Sequence, residues 1–166
     1  MMEYRYNELK VGHKESFTAK VDQVKMDAFM KITGDENPLH IDSKYAKSKE
    51  FPDKAVYGML TASFFSTLAG MYLPGKYSLI HSVEVKFPTP LFLMDSKELR
   101  ISGEIVEKND LFKLLTLKVE VRNDQGIKVC RGKMKVGVLD EWQCVIGNRS
   151  FFRYWNCFNS QNSWKL

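Results

Sequence analysis

Residues 57–72 hold no charged side chain. Met59, Leu60, Ala62, Phe64, Phe65, Leu68, Ala69, Met71 and Tyr72 point to nearly every side of a helix, with Thr61, Ser63, Ser66 and Thr67 as its polar groups. A helix without a charged face is a buried helix. The charged run Lys44–Lys54 stops just before it, so the helix starts at the surface and runs inward, until Leu73-Pro74-Gly75 ends it. Strand patterns fill much of the rest. An apolar–polar alternation across residues 8–20, around Phe17, Ala19 and Val21, predicts a first strand. Residues 77–87 place Leu79, His81, Val83, Val85 and Phe87 on one face. Residues 97–107 carry Leu99, Ile101, Gly103 and Ile105 in the same way, and Lys113–Val121 carries Leu115, Leu117, Val119 and Val121. Asn123-Asp124-Gln125-Gly126 is a turn, and Val129–Leu139 returns as a last strand. Hairpin connections make these strands an antiparallel sheet. The expected class is α+β, a curved sheet wrapped around one buried helix.

Two shorter helices precede the buried one. Val24, Ala28, Phe29 and Ile32 recur at helical spacing over residues 24–33, with Asp22 available as the N-terminal cap. Residues 42–50 predict another, with Asp42 or Ser43 near its start and Tyr45 and Ala46 turned inward.

Between these helices lies Gly34-Asp35-Glu36-Asn37-Pro38-Leu39-His40, which the pattern excludes from regular helix. Pro38 fixes its own φ and pushes Asn37 out of the α region, while Gly34 frees the backbone just before the carboxylate. A short rigid bend of this kind can aim Asp35 and His40 at one point. The plainer reading is turn chemistry: Asp35 bonding its own loop, and His40 a half-buried histidine with one satisfied nitrogen.

Length and composition restrict the alternatives. A chain of 166 residues is one domain with an ordinary core. No run of about 18 uncharged apolar residues occurs, so no membrane span is expected. Met-Met-Glu-Tyr-Arg-Tyr does not read as a secretory signal. Cys130, Cys144 and Cys157 form neither a CxxC pair nor zinc spacing, and suit free thiols in a reducing cytoplasm. His13, His40 and His81 are too scattered for a metal site. The net charge of +5 is dispersed; it suits an anionic ligand, and no nucleic-acid motif accompanies it.

The run Phe29–His40, continuing to Ala46, resembles the signature of the MaoC-like, R-specific enoyl-CoA hydratases of the hot-dog fold. Val56-Tyr57-Gly58-Met59-Leu60-Thr61-Ala62-Ser63-Phe64-Phe65-Ser66 resembles the start of that family's central helix. Leu73-Pro74-Gly75-Lys76 through Phe87-Pro88 and Asp95 resembles the exit from that helix and the following strand. The resemblance covers about residues 8–139. It implies reversible hydration of a trans-2-enoyl thioester of coenzyme A, or of an acyl carrier protein, to the (R)-3-hydroxyacyl thioester. It implies Asp35 and His40 as the catalytic pair, Gly58 as oxyanion donor, and Ser66 near the site. It also implies a homodimer joined through the sheets. No cofactor is expected beyond the coenzyme A of the substrate.

The residue chemistry agrees with these roles. One carboxylate and one imidazole gripping a single water can deprotonate it during attack and manage the returning proton. Gly58 sits where a helix presents unpaired N–H groups, and its missing Cβ lets a carbonyl approach. Equally, it could be a glycine easing a crowded helix start. Asn37 suits a loop-holding role, and Ser66 could simply bond back to the preceding turn. Lys76 and Lys86 could meet phosphates, though exposed lysines are the plainer reading. One departure is notable: the family usually has histidine before the helix glycine, where this chain has Tyr57. Its hydroxyl is a candidate for substrate binding. Two other readings remain open, a hot-dog thioesterase and a non-catalytic acyl-CoA-binding or assembly subunit.

The expected domain spans residues 1–140. Residues 141–166 form an extension with seven aromatics, among them Trp142, Trp155 and Trp164, flanked by Arg149 and Arg153. A partner-binding or membrane-surface segment is one reading; a segment packed on its own domain or dimer is the plainer one.

Overall fold

A computed structural model describes residues 1–140 of the protein, and the aromatic extension lies outside the described residues. Five antiparallel strands form one sheet: β1 (Lys14–Ala19), β2 (Ser78–Lys86), β3 (Leu99–Asn109), β4 (Leu114–Arg122) and β5 (Lys128–Val138). Their spatial order is β1-β3-β4-β5-β2. The period of two in β3 and β4 does what it predicts. Leu99, Ile101 and Ile105, with Leu115, Leu117, Val119 and Val121, are buried on one face. The β4–β5 turn is closed by Asn123, whose Oδ1 accepts from the Ile127 N–H at 2.8 Å.

Among the described residues four α-helices accompany the sheet: α1 (Gln23–Thr33), α2 (Pro38–Ile41), α3 (Ser43–Ser48) and α4 (Gly58–Thr67), the last continuing into a π turn at Leu68–Tyr72. Leu60, Ala62, Phe65, Leu68 and Ala69 are buried in the central core. The sheet lies directly on this segment because two inward strand positions are glycines. A Cβ on Gly103 would stand 2.5 Å from Leu68 Cδ2, and one on Gly132 would stand 2.9 Å from Phe65 Cε2. Phe17 of β1 stacks on Tyr72, with ring centroids 4.7 Å apart. The curved sheet around one helix is therefore as the patterning predicts.

Several local expectations change. The Gly34–His40 bend is only partly non-helical. Pro38 occupies the first turn of α2, where its missing N–H costs nothing, and Asn37 caps it. In α1, Asp22 caps as expected, accepting from Lys25 N at 3.1 Å. The buried side is Met26 with half-buried Phe29 and Met30, while Val24 and Ile32 are 76% and 80% exposed. Both stripes keep helical spacing, and docking selects the bulkier one. In α3, Ala46 is buried but Tyr45 faces out.

The central helix is not buried all round either. Met59 is 62% exposed, and Ser63 and Ser66 share its open side. Small hydroxyls cost little in water, so lack of charge did not require complete burial. On β2 a bulge between Ile80 and Ser82 breaks the expected alternation. Ile80 opposes Val136 and packs on the core, and Leu79 opposes Gly137.

Candidate active site

Asp35 and His40 are brought into one cluster by three chain segments. The first is the end of α1. Gly34 sits in the left-handed region at φ 71°, and its N–H donates to Met30 O at 2.7 Å. Glycine adopts that φ without steric cost, so the chain reverses directly before Asp35. Thr33 Oγ1 donates to Phe29 O at 2.9 Å and accepts from Asp35 N at 3.3 Å. One Asp35 carboxylate oxygen, Oδ1, accepts from Asn37 N at 3.0 Å. That is the expected turn chemistry, and the carboxylate is otherwise open to solvent.

The second segment is α2, which carries His40. Asn37 Oδ1 accepts from Leu39 N at 3.0 Å, and His40 N donates to Asn37 O at 2.9 Å. The third segment, residues 54–58, closes over both. His40 Nδ1 lies 2.7 Å from the Ala55 carbonyl oxygen. A carbonyl only accepts, so Nδ1 carries the hydrogen and Nε2 of the neutral ring keeps a free lone pair. Ala55 N returns a bond to Leu39 O at 3.0 Å, fixing the distance between the segments. Nothing in the residue type of Ala55 signals this role, and reading the sequence missed it.

Tyr57 binds the two candidate residues together. Its hydroxyl donates to the Asp35 main-chain oxygen at 2.7 Å. Its ring lies against the His40 imidazole, with centroids 4.0 Å apart and planes inclined by 33°. At 2% exposure it is a core side chain. Burial foremost, then the negative charges of Asp35, Asp27 and Glu36, raises its pKa above the ordinary tyrosine value. The phenol therefore stays a donor, engaged with the loop.

Gly58 follows immediately as the first residue of α4. No side chain caps that helix, so its first-turn amides present the positive end of the helix dipole. A Cβ on Gly58 would stand 3.2 Å from the Phe87 ring, a tight approach. Phe87, beyond the end of β2, is 45% exposed and overlooks the helix start. Ser66 is eight residues further along α4, about 12 Å by helical rise, and exposed. Asn37 is a helix cap in this geometry. Among the described residues, no group of three or more histidine, cysteine or carboxylate side chains could hold a metal ion.

An acidic loop, an imidazole with one nitrogen fixed and one open, and a bare helix N-terminus thus adjoin. Residues 7–126 match the MaoC like domain family. The chain belongs to the MaoC-like dehydratase family. The (R)-specific enoyl-CoA hydratase of Aeromonas caviae is 32% identical over 111 residues, covering 67% of this chain and 83% of that protein. A tomato (Solanum lycopersicum) mitochondrial 3-hydroxyacyl-[acyl-carrier-protein] dehydratase is 37% identical over 84 residues, covering 49% and 50%. The solved R-hydratase PhaJ1 from Pseudomonas aeruginosa superposes with a TM-score of 0.75 at 27% identity, covering 81% of this chain and 84% of that one. The sheet wrapped on α4 is the hot-dog fold. No helix among the described residues of this MaoC-like chain is long and apolar enough to cross a membrane.

Proposed function

We propose that this chain catalyses the reversible hydration of a trans-2-enoyl thioester to the (R)-3-hydroxyacyl thioester, with Asp35 and His40 as the catalytic pair. The observation that carries this reading is the Ala55 carbonyl at His40 Nδ1, which leaves Nε2 free to accept a hydrogen bond. In the forward direction Asp35 takes one proton from the water while His40 Nε2 accepts a hydrogen bond from the other. The water oxygen bonds to C3, and the C2=C3 electrons move onto the thioester oxygen. The Gly58 N–H stabilises that developing charge. The enolate then collapses, and C2 receives the proton held by Asp35. Hydrogen and hydroxyl are added with no change in overall oxidation state, so no redox cofactor enters the scheme. Coenzyme A, or an acyl carrier protein, is the carrier of the substrate.

A second copy of the chain completes this reading. β2 is an edge strand with Val83 exposed on it, and Phe87, just beyond its end, and Met59 on α4 are exposed apolar side chains at the helix start. Their neighbourhood supports a homodimer formed along that edge. Cys130, buried and free of a disulfide among the described residues, suits a cytoplasmic chain.

Loss of enoyl absorbance from crotonyl-CoA tests the assignment. Asp35→Asn keeps the side chain's shape and removes the base, and turnover should fall by about 10²–10⁴-fold with the melting temperature nearly unchanged. Near-native hydration by that variant, or by His40→Ala, overturns the pair. Release of free thiol would instead identify a thioesterase, and silence toward every enoyl thioester a binding role.

A further inference from the structure

We propose that the outer face of the sheet, turned away from α4, is a docking surface for an acidic acyl carrier protein; this rests on the hydration reading above. The register fixes what that face presents. One row across the five strands reads Lys14, Glu104, Lys118, Lys133 and Glu84, and the next reads Ser16, Ser102, Glu120, Arg131 and Lys86. Arg100, Arg122 and Lys128 follow beyond the second row, and Glu107 and Lys135 beyond the first. Nine cations thus meet four carboxylates, and their surplus equals the +5 of the entire chain. A charge that is dispersed in sequence is gathered on one surface in space.

The face is incompletely compensated from within. Glu120 serves three cations, with Lys128 at 2.7 Å, Arg122 at 3.1 Å and Lys118 at 3.9 Å. Among the described residues, Arg131, Lys133, Lys86 and Arg100 have no carboxylate within ion-pair distance. Lys118 stands directly opposite Lys133, and Arg100 opposite Arg122, arrangements that destabilise a sheet unless an anion covers them. Two grooves of about 400 Å³ each run along this face on either side of Lys118 and Glu120.

The chemistry of the face selects the partner. It spans five strands, about 19 Å at the usual strand spacing, too broad for a small anion. Its two central rows carry no aromatic side chain on which bases could stack and no apolar side chain to enter a bilayer, the apolar outward positions Leu79, Val106 and Leu114 lying together at one end of the face. An acidic protein surface is the complement that remains. The edge of the face also meets the site: Lys86 precedes Phe87, whose ring borders Gly58. A carrier docked there holds its thioester arm beside the start of α4.

The test compares a crotonyl-loaded acidic acyl carrier protein with crotonyl-CoA, using the full chain. The triple variant Lys118→Gln, Arg131→Gln, Lys133→Gln should lose about ten-fold or more in kcat/KM for the carrier substrate and stay within about two-fold for crotonyl-CoA. The wild-type carrier reaction should also weaken between low and moderate salt, a readout that needs no variant. Equal behaviour of variant and wild type on the carrier, or wild-type hydration of crotonyl-CoA alone, overturns the docking surface. If neither thioester is hydrated, the hydration reading falls. Binding of the unloaded carrier then decides the surface: salt-sensitive binding lost in the triple variant upholds it, and no binding overturns it. Preferential binding of RNA or of anionic phospholipid vesicles likewise overturns it.

Discussion

His40 takes its tautomer from a main-chain oxygen fifteen residues away, whereas Asp35 takes its position from its own turn. That difference explains what was legible. The Gly34–His40 bend is local chemistry, so its carboxylate, cap and proline announce themselves in the sequence. Ala55 acts through a carbonyl that every residue possesses, and no side-chain pattern points to it. Tyr57 falls between these cases. Its departure from the usual family residue was visible, but its hydroxyl reaches the Asp35 carbonyl. Tyr57→Phe keeps the ring against His40 and removes that bond. We expect kcat to fall about ten-fold with KM little changed, and stability to drop by about 1 kcal/mol, measured by steady-state kinetics and denaturant melts. Asn37→Ala removes the α2 cap and should cost about 1 kcal/mol in the same melts.

At the scale of elements, periodicity located helices and strands better than it chose their faces. α1 has two apolar stripes at helical spacing. Met26, Phe29 and Met30 dock, and Val24 and Ile32 remain in water, because burial depends on a surface that the helix itself does not encode. The inward positions of β3 and β4 were read correctly because neighbours on both sides fix them, and the irregularities of these strands fall beyond Ile105 and Val121. β2 has one neighbour, and its bulge moved the inward position from Leu79 to Ile80. The start of α4 offers a direct test of packing against chemistry. Gly58→Ala should lower kcat/KM about ten-fold, since its methyl meets the Phe87 ring and occupies the approach to the amide. Adding Phe87→Ala should relieve the crowding and restore folding stability. Activity should stay low in the double variant if the approach to the amide is what matters, as kinetics and melts on the same samples will report.

For the whole molecule, half-buried His81 contributes to the response to acid. Burial lowers the pKa of His81 below the ordinary imidazole value. Its protonation therefore favours the unfolded chain. Stability is unaffected above about pH 6.5, where both states are neutral, and declines as the pH falls from there toward the lowered folded value. Thermal melts at pH 7.5 and 5.5 should show the decline, and His81→Gln should flatten it. The fold class and the candidate catalytic loop were legible because both rest on short-range patterns. The basic outer face was not, because its cations belong to five strands that only the register brings together.

The Tyr57 hydroxyl bond has a thermodynamic corollary. It ties the loop at Asp35 to the N-cap residue of α4. Under the proposed reaction, free energy gained by a thioester oxygen against Gly58 is shared with the loop, and the coupling is reciprocal. Amide hydrogen exchange at residues 35–37 should slow when a substrate analogue binds at the helix start, and that protection should vanish in Tyr57→Phe.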